Sequence, residues 1–308
     1  MRVVVTGGAG FIGSHLVEEL VRRDLDVVVV DNLSHGSLKN LSACAHFIQG
    51  DVLERDAWLG QIGRADVLIH LAAQISVPWA EAHPEDDVRI NVIGTVAMLQ
   101  AARELQCGEF RFASSAAVYG DNPNIPLAEE ALSIPLAYYG LDKQVAEMYI
   151  RHEARSGQLR TTILRLANVY GPRQRVNGEG AVIGVFCEAL ARGQVPRIDG
   201  DGQQTRDFIY VKDVARAFCH RLGNVDGSEV YNIGTQKATS VVQIWRTLAR
   251  LAGKSPEAVR YGPERPGDIR HSRLDVARAS DWGFLAEVEL EPGLKETYQW
   301  FIEDAGLA

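Results

Sequence analysis

The chain has 308 residues, 46% hydrophobic and 23% charged, with enough apolar material for a large buried core. At roughly 150 residues per domain, that length suits about two domains. A net charge of −8 without a Lys or Arg block argues against a general nucleic-acid binder, and no apolar run approaches the ~20 residues of a membrane helix.

Met1–Thr6 reads as a strand, not as the basic start and apolar core of a secretory leader. Its apolar run, Val3–Val5, leads into a glycine-rich turn. Phe11–Arg23 then predicts a helix with Ile12, Leu16 and Leu20 on one stripe. Val27–Val30 is apolar on both faces, as a central parallel strand must be. Further strands are expected at His46–Ile48, Val67–Ile69, Phe110–Phe112 and Ile163–Leu166, with helices at Pro84–Leu105 and Ala137–Arg155. The alternation predicts an α/β fold, a doubly wound parallel sheet with right-handed crossovers.

Beyond Gly171 the alternation weakens and Gly and Pro increase. Short helices are expected at 181–192, Val214–Leu222, Val241–Leu251 and Pro292–Ile302. The expected division is a nucleotide-binding unit over 1–171 and a smaller, mixed α/β, loop-rich substrate unit over 172–308. The second would lie over the carboxyl edge of the sheet, where such folds bind ligands. Segments near 206–222 are expected to return to the first unit. Cys44, Cys107, Cys187 and Cys219 lie far apart with no metal spacing, and read as buried reduced thiols of a cytoplasmic protein.

Thr6-Gly7-Gly8-Ala9-Gly10-Phe11-Ile12-Gly13 lies between the first strand and the first helix, with glycines at Gly7, Gly10 and Gly13. A pyrophosphate packs on such a helix N-terminus, where free N–H groups and the helix dipole favour negative charge. Asp31 ends the second strand 21 residues after Gly10. A carboxylate there accepts from both hydroxyls of the adenosine ribose and repels a 2′-phosphate, favouring NAD over NADP.

Tyr139 and Lys143 are four apart in a helical stretch and share a face. A lysine ammonium stabilises a phenolate, making the pair an acid/base for hydroxyl-to-carbonyl redox. Tyr138, five residues from Lys143, falls off that face. Alone, such spacing is common on ordinary helices. Ser114 and Ser115 end the strand around Phe110 and are placed at the carboxyl edge. There they serve either a substrate oxygen or the turn itself.

Taken together, Thr6–Gly13, Ser115 and Tyr139-x-x-x-Lys143 resemble the extended short-chain dehydrogenase/reductases, and more narrowly the UDP-glucose 4-epimerases. The matching segments run through nearly the whole chain. They include Gly50-Asp51-Val52, His70–Gln74, Asn91-x-x-Gly94-Thr95, Ser114–Gly120, Arg165–Pro172, Gly202-x-x-Thr-Arg206-Asp-Phe and Arg265-Pro-Gly-Asp268.

The resemblance implies a Rossmann-type sheet, a tightly held NAD, a UDP-sugar substrate and a homodimer paired through the helices at 84–105 and 137–155. It implies that Asp51 and Val52 flank the adenine and that Leu71, Ala72 and Ala73 line the cofactor. It also places Phe11, Ile12, Asn32, Gln74, Asn91 and Ser114 in the cofactor site, with Lys143 on the nicotinamide ribose. Ser115 and Tyr139 would meet the sugar's 4-hydroxyl. Asn168, Arg206 and Arg265 would hold the diphosphate, with Asp268 on the uridine ribose. Without the resemblance, either arginine reads as a surface ion pair.

The 4,6-dehydratases of this family place Thr-Asp-Glu where this chain has Ser114-Ser115-Ala116. The absence of that acid/base pair argues against a dehydratase and leaves one redox centre; the resemblance then points to a 4-epimerase. Other nucleotide-sugar enzymes (a uronate epimerase, a decarboxylase, a reductase) and a non-catalytic NAD sensor are the alternatives. Ser272 stands where the family limits room for the sugar's 2-substituent, and its small side chain leaves space for an N-acetyl group. One departure is Asp142, where the family often has Ser before the Lys. It is expected on a neighbouring helix face, with little effect on Tyr139 and Lys143.

Overall fold

The computed structural model describes residues 1–174, 182–264 and 269–306. β1 (Arg2–Thr6) runs through the glycine turn into α1 (Phe11–Arg22), followed by β2 (Asp26–Asp31), β3 (His46–Gln49) and β4 (Val67–His70). Next come α2 (Val77–Ala82), α3 (Pro84–Val88), a π turn (Arg89–Ile93) and α4 (Gly94–Glu104). β5 (Glu109–Ser115), α5 (Tyr138–Ala154) and β6 (Arg160–Leu166) complete the regular alternation.

The remainder holds β7 (Asn168–Tyr170), α6 (Val182–Ala191), β8 (Arg197–Asp199), β9 (Thr205–Tyr210) and α7 (Val211–Cys219). Then follow β10 (Ser228–Ile233), β11 (Ala238–Ser240), α8 (Val241–Leu251), β12 (Arg260–Gly262), α9 (Ala277–Asp281) and α10 (Leu290–Asp304).

Seven of these strands form one parallel sheet in the order β3-β2-β1-β4-β5-β6-β10. Both faces are buried, so alternate valines serve opposite layers. Val3 and Val5 pack with Leu16, Leu20 and Phe218 on one side, and Val4 and Val28 with Met98, Phe110 and Ile150 on the other. A third core gathers Tyr170, Phe186, Ile198, Phe208, Trp245 and Leu294 beneath the small sheets β11-β9-β7 and β12-β8. After residue 171 the chain returns to the large sheet in several places: α7 packs on α1, β10 pairs with β6, and α9 packs on β10.

The strand order reverses between β1 and β4, so the loops leaving these neighbours diverge and open a crevice at the carboxyl edge. The glycine turn and residues 71–74 are its two lips.

Three expectations need correction. The helix over 84–105 is interrupted by the π turn, where one extra residue per turn swings Asn91 inward. The helix expected at Val214–Leu222 starts at Val211, straight from β9, because Val211, Val214, Ala215 and Phe218 together form the buried stripe. Cys44 is exposed, on a loop between β2 and β3 that turns Leu41 and Ala45, not the thiol, toward the core, while the other three thiols are buried and all four are free. Among the described residues, no helix is long and apolar enough to cross a membrane.

Candidate active site

Gly7 closes the turn after β1 with φ +72, and a Cβ there would meet the backbone nitrogen of Ala72 at 2.6 Å. A Cβ on Gly13 would lie 2.1 Å from the Gly7 carbonyl oxygen, so α1 rests directly on the turn. Gly10 is the N-cap of α1, has no capping side chain, and would direct a Cβ toward space bounded only by the Gly7 carbonyl at 3.2 Å. The first N–H groups of the helix, from Phe11, Ile12 and Gly13, thus border a cradle that a side chain would fill. That is the shape and polarity a pyrophosphate requires.

Asp31 ends β2 beside this turn and is buried. Its Oδ2 accepts from the Ala9 N–H at 2.9 Å and its Oδ1 from the Leu33 N–H at 2.8 Å. Each oxygen keeps a second lone pair for a ligand hydroxyl. Next to it, Asn32 donates to Oδ2 of Asp51 at 2.9 Å, and buried Val52 follows Asp51. These residues line up along the ends of β2 and β3.

On the opposite lip, Leu71 donates its N–H to Thr6 at 3.1 Å, so Leu71, Ala72 and Ala73 run beside the glycine turn. Gln74 and Asn91 grip each other: Gln74 N–H to Asn91 Oδ1 at 3.0 Å, Asn91 Nδ2 to the Gln74 carbonyl at 3.1 Å. Behind them, His70 lies 2.7 Å from Thr6 Oγ1 and 3.2 Å from Thr95 Oγ1. Burial and then the Lys143 charge drive the His70 imidazole down to about 3, so it is neutral.

Ser115 ends β5, and its Oγ accepts from the Ala117 N–H at 3.1 Å. Tyr139 and Lys143 occupy the first two turns of α5, both buried. The Lys143 ammonium donates to the Ala113 carbonyl at 2.9 Å and stands 5.9 Å from the Tyr139 ring centroid. Tyr138 is exposed. Gly140 brings α5 this close, since a Cβ there would sit 2.6 Å from the Ala117 carbonyl oxygen. Hydroxyl, phenol and ammonium are thus gathered on β5 and α5.

Asn168 begins β7 and pairs in register with Phe208 of β9, two residues from Arg206. Arg206 Nη1 and the Ser272 N–H both donate to the Thr205 carbonyl, at 2.9 and 3.1 Å. Asn168, Arg206 and Ser272 therefore belong to one patch around β9. Arg265 and Asp268 lie outside the described residues.

Two carboxylates of the site escape the sequence reading. Glu147, fully buried, follows Lys143 by four residues and so continues the Tyr139–Lys143 face. Asp87 precedes Asn91 by four residues and accepts from both Asn91 and Gln74. The four-residue spacing puts each on the face of its partner, but it does not tell a buried carboxylate from a solvated one.

The geometry is that of a dinucleotide-dependent redox site in an extended α/β fold. The NAD dependent epimerase/dehydratase family matches residues 3–234, and the chain belongs to it. Among solved structures, it is similar to the UDP-glucose 4-epimerase of Thermotoga maritima with UDP-glucose (TM-score 0.94, 38% identity, 99% and 100% of the two chains). It is also similar to the UDP-N-acetylglucosamine 4-epimerase of Methanobrevibacter ruminantium in complex with UDP-N-acetylmuramic acid (0.93, 36%, 98% of each). A third is the Thermus thermophilus UDP-glucose 4-epimerase complex with NAD (0.91, 33%, 98% and 99%).

Proposed function

We propose that this enzyme is a 4-epimerase of UDP-hexoses, interconverting UDP-glucose and UDP-galactose and accepting the N-acetylated pair. The observation that carries the proposal is the turn after β5. Ser115 runs into Ala116 and Ala117, with no carboxylate to eliminate water, beside a buried tyrosine and lysine.

The glycine turn and the start of α1 hold the cofactor's pyrophosphate, and Asp31 its adenosine ribose. The chemistry a bound NAD would supply there is acceptance of a hydride from the sugar's C4 and its return to either face of the 4-keto sugar. Lys143 places a positive charge near Tyr139 and favours its phenolate. Tyr139 removes the proton from O4 and later returns it, while Ser115 hydrogen-bonds the same oxygen. Asn168 and Arg206, with Arg265, anchor the diphosphate, leaving the hexose free to turn. Ser272 leaves room at the sugar's C2.

The active form is a homodimer. Ile93 of the π turn and Leu141, Met148 and Tyr149 of the α5 that packs beside it are exposed, an apolar surface better covered than wet. Met148→Glu is expected to halve the mass measured by light scattering; an unchanged mass rejects this face.

Incubation with UDP-galactose, without added NAD, tests the activity by proton NMR of the anomeric signals. UDP-glucose should appear to equilibrium. No conversion, even with NAD added, would overturn the assignment and turn attention to uronate or other nucleotide sugars.

A further inference from the structure

Asp142 stands immediately before Lys143, and the structure buries it against α3. Facing it is Asp87 of α3, fully buried. Asp87 uses Oδ1 to accept from Gln74 Nε2 at 3.0 Å and Asn91 Nδ2 at 3.2 Å. The Oδ2 atoms of Asp87 and Asp142 are both buried with no donor among the described residues. Each carboxyl thus keeps one buried oxygen that no N–H or O–H of the described residues reaches, and the two lie across the packed helices α3 and α5 from each other. Two carboxyls bond each other only through a proton.

We propose that Asp87 and Asp142 share one proton, and that this bond clamps α3 to α5, making Asp142 a positioning residue for Lys143 and Tyr139. Through Asp87, the clamp also reaches Gln74 and Asn91 on the opposite lip of the crevice. One proton thus registers the cofactor lip against the acid/base helix.

Of the surrounding charges, Lys143 is the one that acts on the pair. Lys143 adjoins it and favours ionisation, and Glu81 of α2 accepts from the Tyr138 N–H at 3.0 Å. Glu85, Asp86 and Arg89, on α3 and the π turn, are exposed. Arg103 of α4 pairs with Glu153, Arg111 of β5 with Glu109, and Arg165 of β6 with Glu147. Burial first, and then Asp87, push the Asp142 carboxyl up to about 7. An unfolded aspartate ionises near ~4. Between those values the folded state binds the extra proton, so stability falls as pH rises through that window and levels off above it.

Asp142→Asn supplies an N–H donor to Asp87 and cannot ionise. Melts of wild type and variant from pH 5 to 8.5 should show the variant's Tm gaining on the wild type's as pH rises. A pH-independent difference overturns the shared proton. Asp142→Ser, also unable to ionise, gives the same comparison if the Asn variant does not fold. Turnover of UDP-galactose gives the second readout: the variant-to-wild-type kcat ratio should climb several-fold from pH 6 to 8.5 with KM steady. A flat ratio overturns the positioning role. That role rests on the epimerase reading, whereas the melts do not. Shifting melts in an inactive protein therefore defeat the function and keep the pair; flat differences in an active one do the reverse.

Discussion

The hydroxyl of Ser114 donates a 2.6 Å hydrogen bond to Oε1 of Glu147, joining the end of β5 to the third turn of α5. Arg165 of β6 forks onto the same carboxylate, Nε to Oε1 at 2.9 Å and Nη2 to Oε2 at 2.7 Å. Its Nη1 reaches the Tyr119 hydroxyl at 2.9 Å, which donates to Asn232 of β10 at 2.7 Å. A buried polar chain thus ties three sheet strands to the helix that carries Tyr139 and Lys143.

Glu147→Ala would leave the Arg165 guanidinium buried without its counter-ion. A buried pair broken on one side costs on the order of 3–5 kcal/mol. Calorimetry should show a large drop in Tm, and Glu147→Gln a smaller one. A loss below about 1 kcal/mol would mean that Arg165 finds another partner.

Tyr139→Phe removes the proton carrier and little else. Turnover should fall by roughly 10²–10⁴, the usual worth of a positioned acid/base. The purified variant should still release NAD on denaturation. Near-normal turnover would remove Tyr139 from the chemistry.

Asp31→Ala strips the Ala9 and Leu33 N–H groups of their acceptor and removes the charge facing the ribose. NAD should bind about 1–3 kcal/mol more weakly, and the preference over NADP should shrink, both read by titration calorimetry. An unchanged ratio of the two affinities would exclude Asp31 as the discriminating group.

Ser272→Tyr fills the space beside Arg206. Turnover of UDP-N-acetylglucosamine should drop at least about tenfold, while UDP-glucose turnover stays within a few-fold, since one steric clash is worth ~1–3 kcal/mol. Full activity on the N-acetyl sugar would show that the 2-substituent lies elsewhere.

The parallel half of the fold was legible because a strand buried on both faces advertises itself. Val27–Val30 admits no other reading, and the glycine turn marks the start of α1. β10 gave no such signal. Ser228–Ile233 has neither an unbroken apolar run nor a strict alternation, and gains burial from β6 beside it and from Trp282 stacked 4.3 Å from Tyr231. β7, β8 and β12 have three residues each, too few for any period.

The candidate site was legible where several spacings occur together in one order: Asp31 after the glycine turn, Ser115 at a strand end, then Tyr139 with Lys143. Asp87, Asp142 and Glu147 were not, because a carboxylate on a helix is normally solvated. Only the tertiary packing reveals three buried ones.

β10 also sets an order of events during synthesis. β6 leaves the ribosome well before its neighbour on that side exists, since residues 228–233 are translated after β7, α6, β8, β9 and α7. Until then the backbone of Arg160–Leu166 offers unmatched donors and acceptors along one side, a template for any stray strand. A nascent chain stalled near residue 171 would carry the whole glycine cradle and still be sticky.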